Sequence, residues 1–460
     1  SALGIPDNRN GWNPICSGLG EKRKTEIAGT CFTPAEVVDV SEVTNAVYAQ
    51  LHFGGDNLTL FDKPITGNIG VRYVQTELES SGGIVYPAAT LDELSKAPVS
   101  ADGDKIPPVP FKLGYYLSDA DKAFMNGGNF LSTKSITHNN VLPSLNIKYE
   151  LNDEMLMRFA LSRAMSRPDI GTLRNFISVS KTLPSLDSAT DSLWIKDSSG
   201  TITGANVIYK ASAQNPYLKP VTADQIDLTF EYYFDKVGSF TVTAFAKEFH
   251  DYIQIGRYNV DLTNNGVTRT VEVQAPLNGE GAKLSGVEFA FQRFFDFLPH
   301  PFDGLGVQTN YTYVKNDGIT NSGIKNDTAD GDAKSGQAPD SVKVDRLEGL
   351  SDHSANFVLM YEKNDWAARL AYSWRSEYMI TAIDCCVAVP IWTDATGQLD
   401  GSVKYTFNEN IEIAFQASNI LNEQTVLTQQ VTDYDKGGLR LPNAWHENDR
   451  RYTLGLRLKY

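Results

Sequence analysis

From Tyr452 to the end of the chain every second residue is apolar: Tyr452, Leu454, Leu456, Leu458 and Tyr460 alternate with Thr453, Gly455, Arg457 and Lys459. Side chains alternate across a β-strand, so this period of two gives one apolar face and one cationic or small face. The pattern recurs through the chain. Val47, Ala49, Leu51 and Phe53 oppose Ala46, Tyr48, Gln50 and His52. Val141, Pro143, Leu145, Ile147, Tyr149 and Leu151 oppose Asn140, Ser144, Asn146, Lys148 and Glu150. Ile226 to Phe234, Trp366 to Trp374 and Ile411 to Ala417 repeat it, and about thirteen such runs are present. An edge strand of a soluble protein carries this pattern too, but a strand with lipid on one face and a wet lumen on the other fits it better.

The connections sharpen the choice. They alternate between short (54–64, Asn152-Asp153, Asp235–Gly238, Phe295–Gly304, Lys363–Asp365, Asn408–Asn410) and long (80–130, 165–221, 256–280, 315–350, 377–397, 421–448). Bacterial outer-membrane barrels have short periplasmic turns and long outer loops, whereas a soluble sandwich has no reason to put every long loop at one end. No run of about 18 apolar residues occurs, so no transmembrane helix is expected. Charged residues such as Arg72, Lys148, Arg158, Glu231, Glu288, Arg369 and Lys404 keep to the polar face. Arg163 and Arg293 break phase, both at strand ends, where a charge facing lipid costs least. The expected fold is all-β, a membrane-spanning antiparallel barrel wall. Counting direction back from the last strand makes residues 1–40 an outer loop and 41–460 the wall with its long loops.

The formal net charge of −15 argues against a nucleic-acid partner. The six histidines are scattered, and neither a zinc-protease helix, a serine nucleophile elbow nor a phosphate-binding loop is present, so no enzyme is expected. Cys16 and Cys31 bracket a loop and read as a disulfide in an oxidising compartment; the adjacent Cys385 and Cys386 read as a vicinal disulfide or as thiols. The chain opens in loop sequence without an export signal, which for an exported protein implies a mature or cut product.

Several stretches carry a family resemblance: Gly67-Asn68-Ile69-Gly70-Val71-Arg72-Tyr73, Val141-Leu142-Pro143-Ser144-Leu145-Asn146, Arg163-Ala164-Met165-Ser166-Arg167-Pro168 and Asn215-Pro216-Tyr217-Leu218-Lys219-Pro220. Gly286-Val287-Glu288, Asn310-Tyr311-Thr312-Tyr313, Trp374-Arg375-Ser376, Asn419-Ile420-Leu421-Asn422 and Asn448-Asp449-Arg450-Arg451-Tyr452 follow in order. With this spacing the sequence resembles the TonB-dependent outer-membrane receptors, particularly those abundant in Caulobacter- and Xanthomonas-like bacteria. The resemblance implies a barrel of about 22 strands around a plug, importing scarce nutrients with energy from the inner membrane. On that pattern this chain supplies the C-terminal strands. The plug, the front strands and the segment that meets TonB are expected from a separate or nicked chain, because open strand edges are not tolerated in lipid. Outer-membrane lipid and lipopolysaccharide are the remaining expected partners.

Candidate ligand contacts are the loop aromatics Trp194, Tyr209, Tyr217, Trp392 and Trp445, with Arg375 among the lumen charges. Aromatic rings stack on ligands, but they also anchor loops or sit at the lipid headgroups; lumen charges also pair with one another. Asp327, Asp330 and Asp332 offer oxygen ligands for a structural Ca²⁺ in an outer loop, although the segment lacks regular calcium-loop spacing and a solvated acidic loop is the plainer reading. No other cofactor or metal is expected. Carbohydrate is the favoured cargo by the subfamily resemblance, with iron chelates next. The rival readings are a plugless passive porin or adhesin barrel, separated by the presence of a plug, and a secreted glycan-binding β-protein, separated by extraction in plain buffer.

Overall fold

A computed structural model of the chain describes residues 37–96, 112–317 except 189 and 280, 346–432 except 383 and 385–388, and 437–459, with residues 27, 34, 342 and 344 besides. Thirteen strands form one wall. They are β1 (Asp39–Leu60), β2 (Lys63–Val85), β3 (Asn129–Glu150), β4 (Met155–Ser166), β5 (Val221–Tyr233), β6 (Ser239–His250) and β7 (Ala282–Phe294). β8 (Leu305–Asp317), β9 (His353–Lys363), β10 (Trp366–Arg375), β11 (Thr396–Asn408), β12 (Ile411–Ser418) and β13 (Arg451–Leu458) complete it. Each pairs antiparallel with the next, from β1 to β13. Each alternating run read from the sequence is one of these strands. Among the described residues no pairing joins β1 to β13, so the sheet has two free edges.

The register lines up the two faces. Leu51, Ile69, Leu145, Leu161 and Ile226 sit side by side across β1 to β5. On the far flank Val307, Leu359 and Leu370 do the same. Among the described residues these side chains meet no second layer of protein: Leu51 is 65 % exposed, Val47 68 % and Leu454 76 %. A band of this kind across a whole sheet has hydrocarbon as its solvent. The opposite face is polar and hydrogen-bonded from strand to strand. Asn146 donates to Asn68 at 3.0 Å, Asn356 donates to Asn310 at 2.8 Å, and the Thr229 and Thr243 hydroxyls meet at 3.0 Å. Among the described residues no helix is long and apolar enough to cross a membrane; the strands cross it.

The short turns are closed by local side-chain chemistry. The Asn152 side chain accepts from the backbone N–H groups of Glu154 and Met155 at 2.9 and 2.8 Å. Asn408 does the same for Asn410 and Ile411 at 2.9 and 3.0 Å. Such Asx turns replace the missing backbone bonds of a reversal.

The structure differs from the sequence reading at three connections. The 54–64 turn is shorter than expected: the β1–β2 ladder continues past a bulge at Gly54 and reverses at Phe61-Asp62. Gly54, at φ +126°, sits where a Cβ would lie 2.6 Å from the Ile65 carbonyl oxygen, so the bulge requires glycine. β2 and β3 run on to Val85 and back from Asn129, so their hairpin rises well past the apolar band. Finally, the 256–280 loop contains a hairpin, Ile253–Asn264 with Val267–Asn278.

Candidate ligand vestibule at the outer mouth

The long connections fold into two structured caps. In the first, the strand Phe176–Thr182 adds in parallel to the tip of β2 through Gly83 to Val85 and pairs antiparallel with Ile208–Ala213. That strand adds in parallel to the hairpin strand Val267–Asn278. A short helix, α1 (Asp119–Phe124), lies over this sheet, started by Ser118, whose hydroxyl accepts from the Asp121 N–H at 3.0 Å. The interior holds Phe124, Met125, Val271 and Val273, all at most 1 % exposed. The second cap is a four-stranded sheet of Tyr378–Thr381, Ile391–Thr393, Gln424–Gln430 and Arg440–Glu447 around Val342, Val344, Met379 and Trp392.

The first cap folds inward. Val74, Thr76, Leu78 and Ser80 continue the polar, inner phase of β2, yet all four are buried. Leu173 and Leu218 of the β4–β5 connection pack on Leu78, and the Asn175 N–H donates to the Ser80 hydroxyl at 2.9 Å. Asn215 donates to the Pro276 carbonyl at 3.0 Å, and the Lys219 N–H donates to the Asn278 side chain at 2.8 Å. The β4–β5 connection is thereby tied to both the wall and the hairpin. Deeper along the inner face lies a recess of ≈ 570 Å³ lined by His52, Asn68, Asn146, Lys148, Arg158 and Asp227. Arg158 is paired there with Glu231 at 2.6 Å.

The candidate contact residues divide by position. Trp194 is buried; its indole donates to the carbonyls of Ser185 and Ser188 at 3.3 and 2.9 Å and meets Tyr116 edge-on. Tyr209 packs on Phe124 at 4.6 Å and its hydroxyl donates to Asp121 at 3.3 Å. Burial, with the Asp121 carboxylate beside it, raises the Tyr209 hydroxyl well above the usual phenol range, so it stays a proton donor. Trp392 is fully buried: its indole donates to Gln430 at 2.9 Å, and the Arg440 guanidinium lies 3.9 Å over its ring. Arg440 in turn grips Glu377 with two bonds of 2.8 and 3.0 Å. Arg375 stacks 3.7 Å over Tyr378 and donates to the Ser351 hydroxyl and the Gly349 carbonyl, each at 2.8 Å.

Tyr217 and Trp445 are different, at 57 % and 60 % exposed. Of the other lumen charges, Lys404 and Glu412 stand 3.4 Å apart, and Asp400 accepts from Gln398 and from the Asn419 N–H. Cys16, Cys31, Cys385, Cys386, Asp327, Asp330 and Asp332 lie outside the described residues. Arg440 and Gln430, which lock Trp392, were not among the sequence candidates; nothing in their local pattern singles them out. The hairpin carried a readable signal, the dipeptide Asn265-Gly266 between alternating runs.

An apolar outward face, a hydrogen-bonded inward face, short reversals at one end and folded caps at the other define the wall of a transmembrane β-barrel. The chain matches the family described as TonB dependent receptor-like, beta-barrel over residues 7–420. It belongs to that family and is an integral outer-membrane protein. Among curated proteins none matches the sequence. Similar solved structures include the siderophore receptor PirA from Acinetobacter baumannii, at 11 % identity and TM-score 0.46, covering 92 % of this chain and 55 % of that one. The ferric yersiniabactin uptake receptor FyuA from Yersinia pestis is 11 % identical, TM-score 0.47, with 92 % and 46 % covered. The Ferric-Catecholate import receptor Fiu from K12 E. coli is 13 % identical, TM-score 0.49, with 92 % and 45 % covered. The chain thus spans about half the length of these receptors.

Proposed function

We propose that this chain forms one flank of the wall and the outer caps of an active transporter that takes up a scarce nutrient, a carbohydrate in the first reading. The observation that carries the proposal is the family match over residues 7–420, joined to a cap that folds back over the inner face of β2. A passive pore is served by an open mouth; a cap tied down by Asn175, Asn215 and Lys219 suits capture before transport. In this reading Tyr217 and Trp445 offer exposed ring faces on which a sugar stacks, and the buried Trp194, Tyr209 and Trp392 hold the caps in shape. A ferric chelate is the second cargo class; the similar receptors above are named for such cargo.

The two free edges of the sheet enter the same proposal. Unpaired backbone groups in hydrocarbon cost several kcal/mol each. The remaining strands, the plug and the contact with TonB are assigned to the rest of the receptor.

The test is uptake of labelled oligosaccharide by cells producing the receptor, with and without TonB and a proton-motive force. Saturable uptake that vanishes without TonB is expected. Uptake that persists without it favours the passive porin, and saturable uptake of ferric chelate alone moves the cargo to the second class.

A further inference from the structure

Two arginines break the alternation on the outward face, and the structure treats them differently. Arg163, at the outer end of β4, makes a two-pronged pair with Asp224, 2.6 Å to each oxygen. Arg293 lies at the other end, where β7 meets its short turn opposite Val307 of β8. Among the described residues no carboxylate pairs with it. Its guanidinium is held by aromatic rings from two neighbouring turns instead, 5.3 Å from the Phe234 centroid and 4.8 Å from that of Phe297. Its Nε is buried and has no hydrogen-bond partner. Around it the turns present apolar side chains outward: Phe297 is 63 % exposed, Phe302 56 % and Val237 49 %.

We propose that Arg293, Phe234 and Phe297 form a seat for the phosphodiester of a phospholipid in the periplasmic leaflet. Ring contacts occupy the faces of a guanidinium, whereas its N–H donors radiate in its plane. The rings therefore fix the group while leaving a fork that matches a phosphate. The short-turn end of the wall is the periplasmic end, and exposed aromatics at a barrel end mark the headgroup level. Phosphate is the anion present at that depth. Phe297, Phe302 and Val237 supply the apolar surface for the upper part of the acyl chains. A cation that faces lipid without an acidic partner is thus matched by a lipid headgroup.

The test is native mass spectrometry of the receptor as cells produce it, purified in a maltoside detergent. It is titrated with phosphatidylglycerol, with a diacylglycerol of the same chains, and with inorganic phosphate as competitor. Phosphatidylglycerol is expected to bind, and Arg293→Gln to weaken it about tenfold, as loss of a charge-assisted bond does. Diacylglycerol binding should not respond to the substitution. Phe297→Leu keeps the charge and removes one ring, and should weaken the lipid by a smaller factor. Heat-modifiable electrophoretic mobility checks that each variant is folded. Equal phosphatidylglycerol retention by the wild type and both variants overturns the seat. Displacement of the lipid by equimolar inorganic phosphate overturns the lipid assignment in favour of a soluble anion. The proposal rests on the membrane wall and not on active uptake, so it stands or falls apart from the transport assay.

Discussion

Ile69 and Asn68 are chain neighbours that face opposite media. Ile69 lies in the apolar row between Leu51 and Leu145, while Asn68 accepts from Asn146 on the inner face. Ile69→Arg should cost about 2–4 kcal/mol, the penalty for a cation on the lipid face near midplane. Asn68→Arg, into a wet lumen, should cost less than about 1 kcal/mol. Reversible urea unfolding in lipid vesicles measures both, and equal costs would mean that the two faces see the same solvent. At Trp392 the medium is protein. Trp392→Ala removes a buried ring, leaves the Gln430 side-chain oxygen without its indole donor and takes the ring from under Arg440, which should destabilise the second cap by about 3–5 kcal/mol. Limited proteolysis should then cut within 378–393 or 424–447 while the wall strands, β11 and β12 between them included, stay intact. Phase told the sequence reader which medium Ile69 meets, because a strand has only two sides. Type did not tell Trp392 from Trp445, since an indole suits a core and a binding surface equally. Their fates are set by partners distant in sequence: Gln430 and Arg440 cover one ring and leave the other bare.

Among the elements, the hairpin Ile253–Asn278 shows how much rests on two residues. Asn265 and Gly266 both have positive φ, 48° and 77°, the conformation that a two-residue hairpin turn demands. Gly266→Val should cost about 1–2 kcal/mol, because a branched side chain is disfavoured there. Faster amide exchange across Val267–Asn278, with β1 to β13 unchanged, is the expected readout. A second element responds to pH. Asp197 opens the reversal between the strands Trp194–Lys196 and Ile202–Ala205, accepting from the Ser199 hydroxyl and from the N–H groups of Ser199 and Thr201. The Ser199 hydroxyl first, then the Thr201 N–H, hold its carboxyl below the usual range. A lowered pKa in the folded state lends stability that is whole above the unfolded value and lost as pH falls through the folded one. Exchange protection at the Ser199 and Thr201 amides should therefore persist at neutral pH and drop in acid, and Asp197→Asn should abolish that pH dependence. The wall strands were legible because lipid on one side imposes a strict period of two. The cap strands were not, because some are as short as three residues, as in Trp194–Lys196 and Ile391–Thr393, too few for a period of two to stand out.

Among the described residues the wall is a sheet with two free margins, β1 and β13. Produced alone, the chain should exchange the margin-facing amides of these strands far faster than those of β5 and β6. Together with the rest of the receptor, those amides should become protected. Equal protection in the isolated chain would mean that the margins find each other. The sequence anticipated this openness from an odd number of strands. It did not anticipate the height of β2 and β3, since the Ser-, Gly-, Pro- and Asp-rich stretch from about 80 to 130 reads as loop. From Val74 to Val85 that hairpin continues for roughly 40 Å of ladder past the apolar band. Among the described strands, β1 to β3 therefore stand higher than β4 and those that follow it. A large particle approaching this flank from the medium meets those three strands before β4 and its successors.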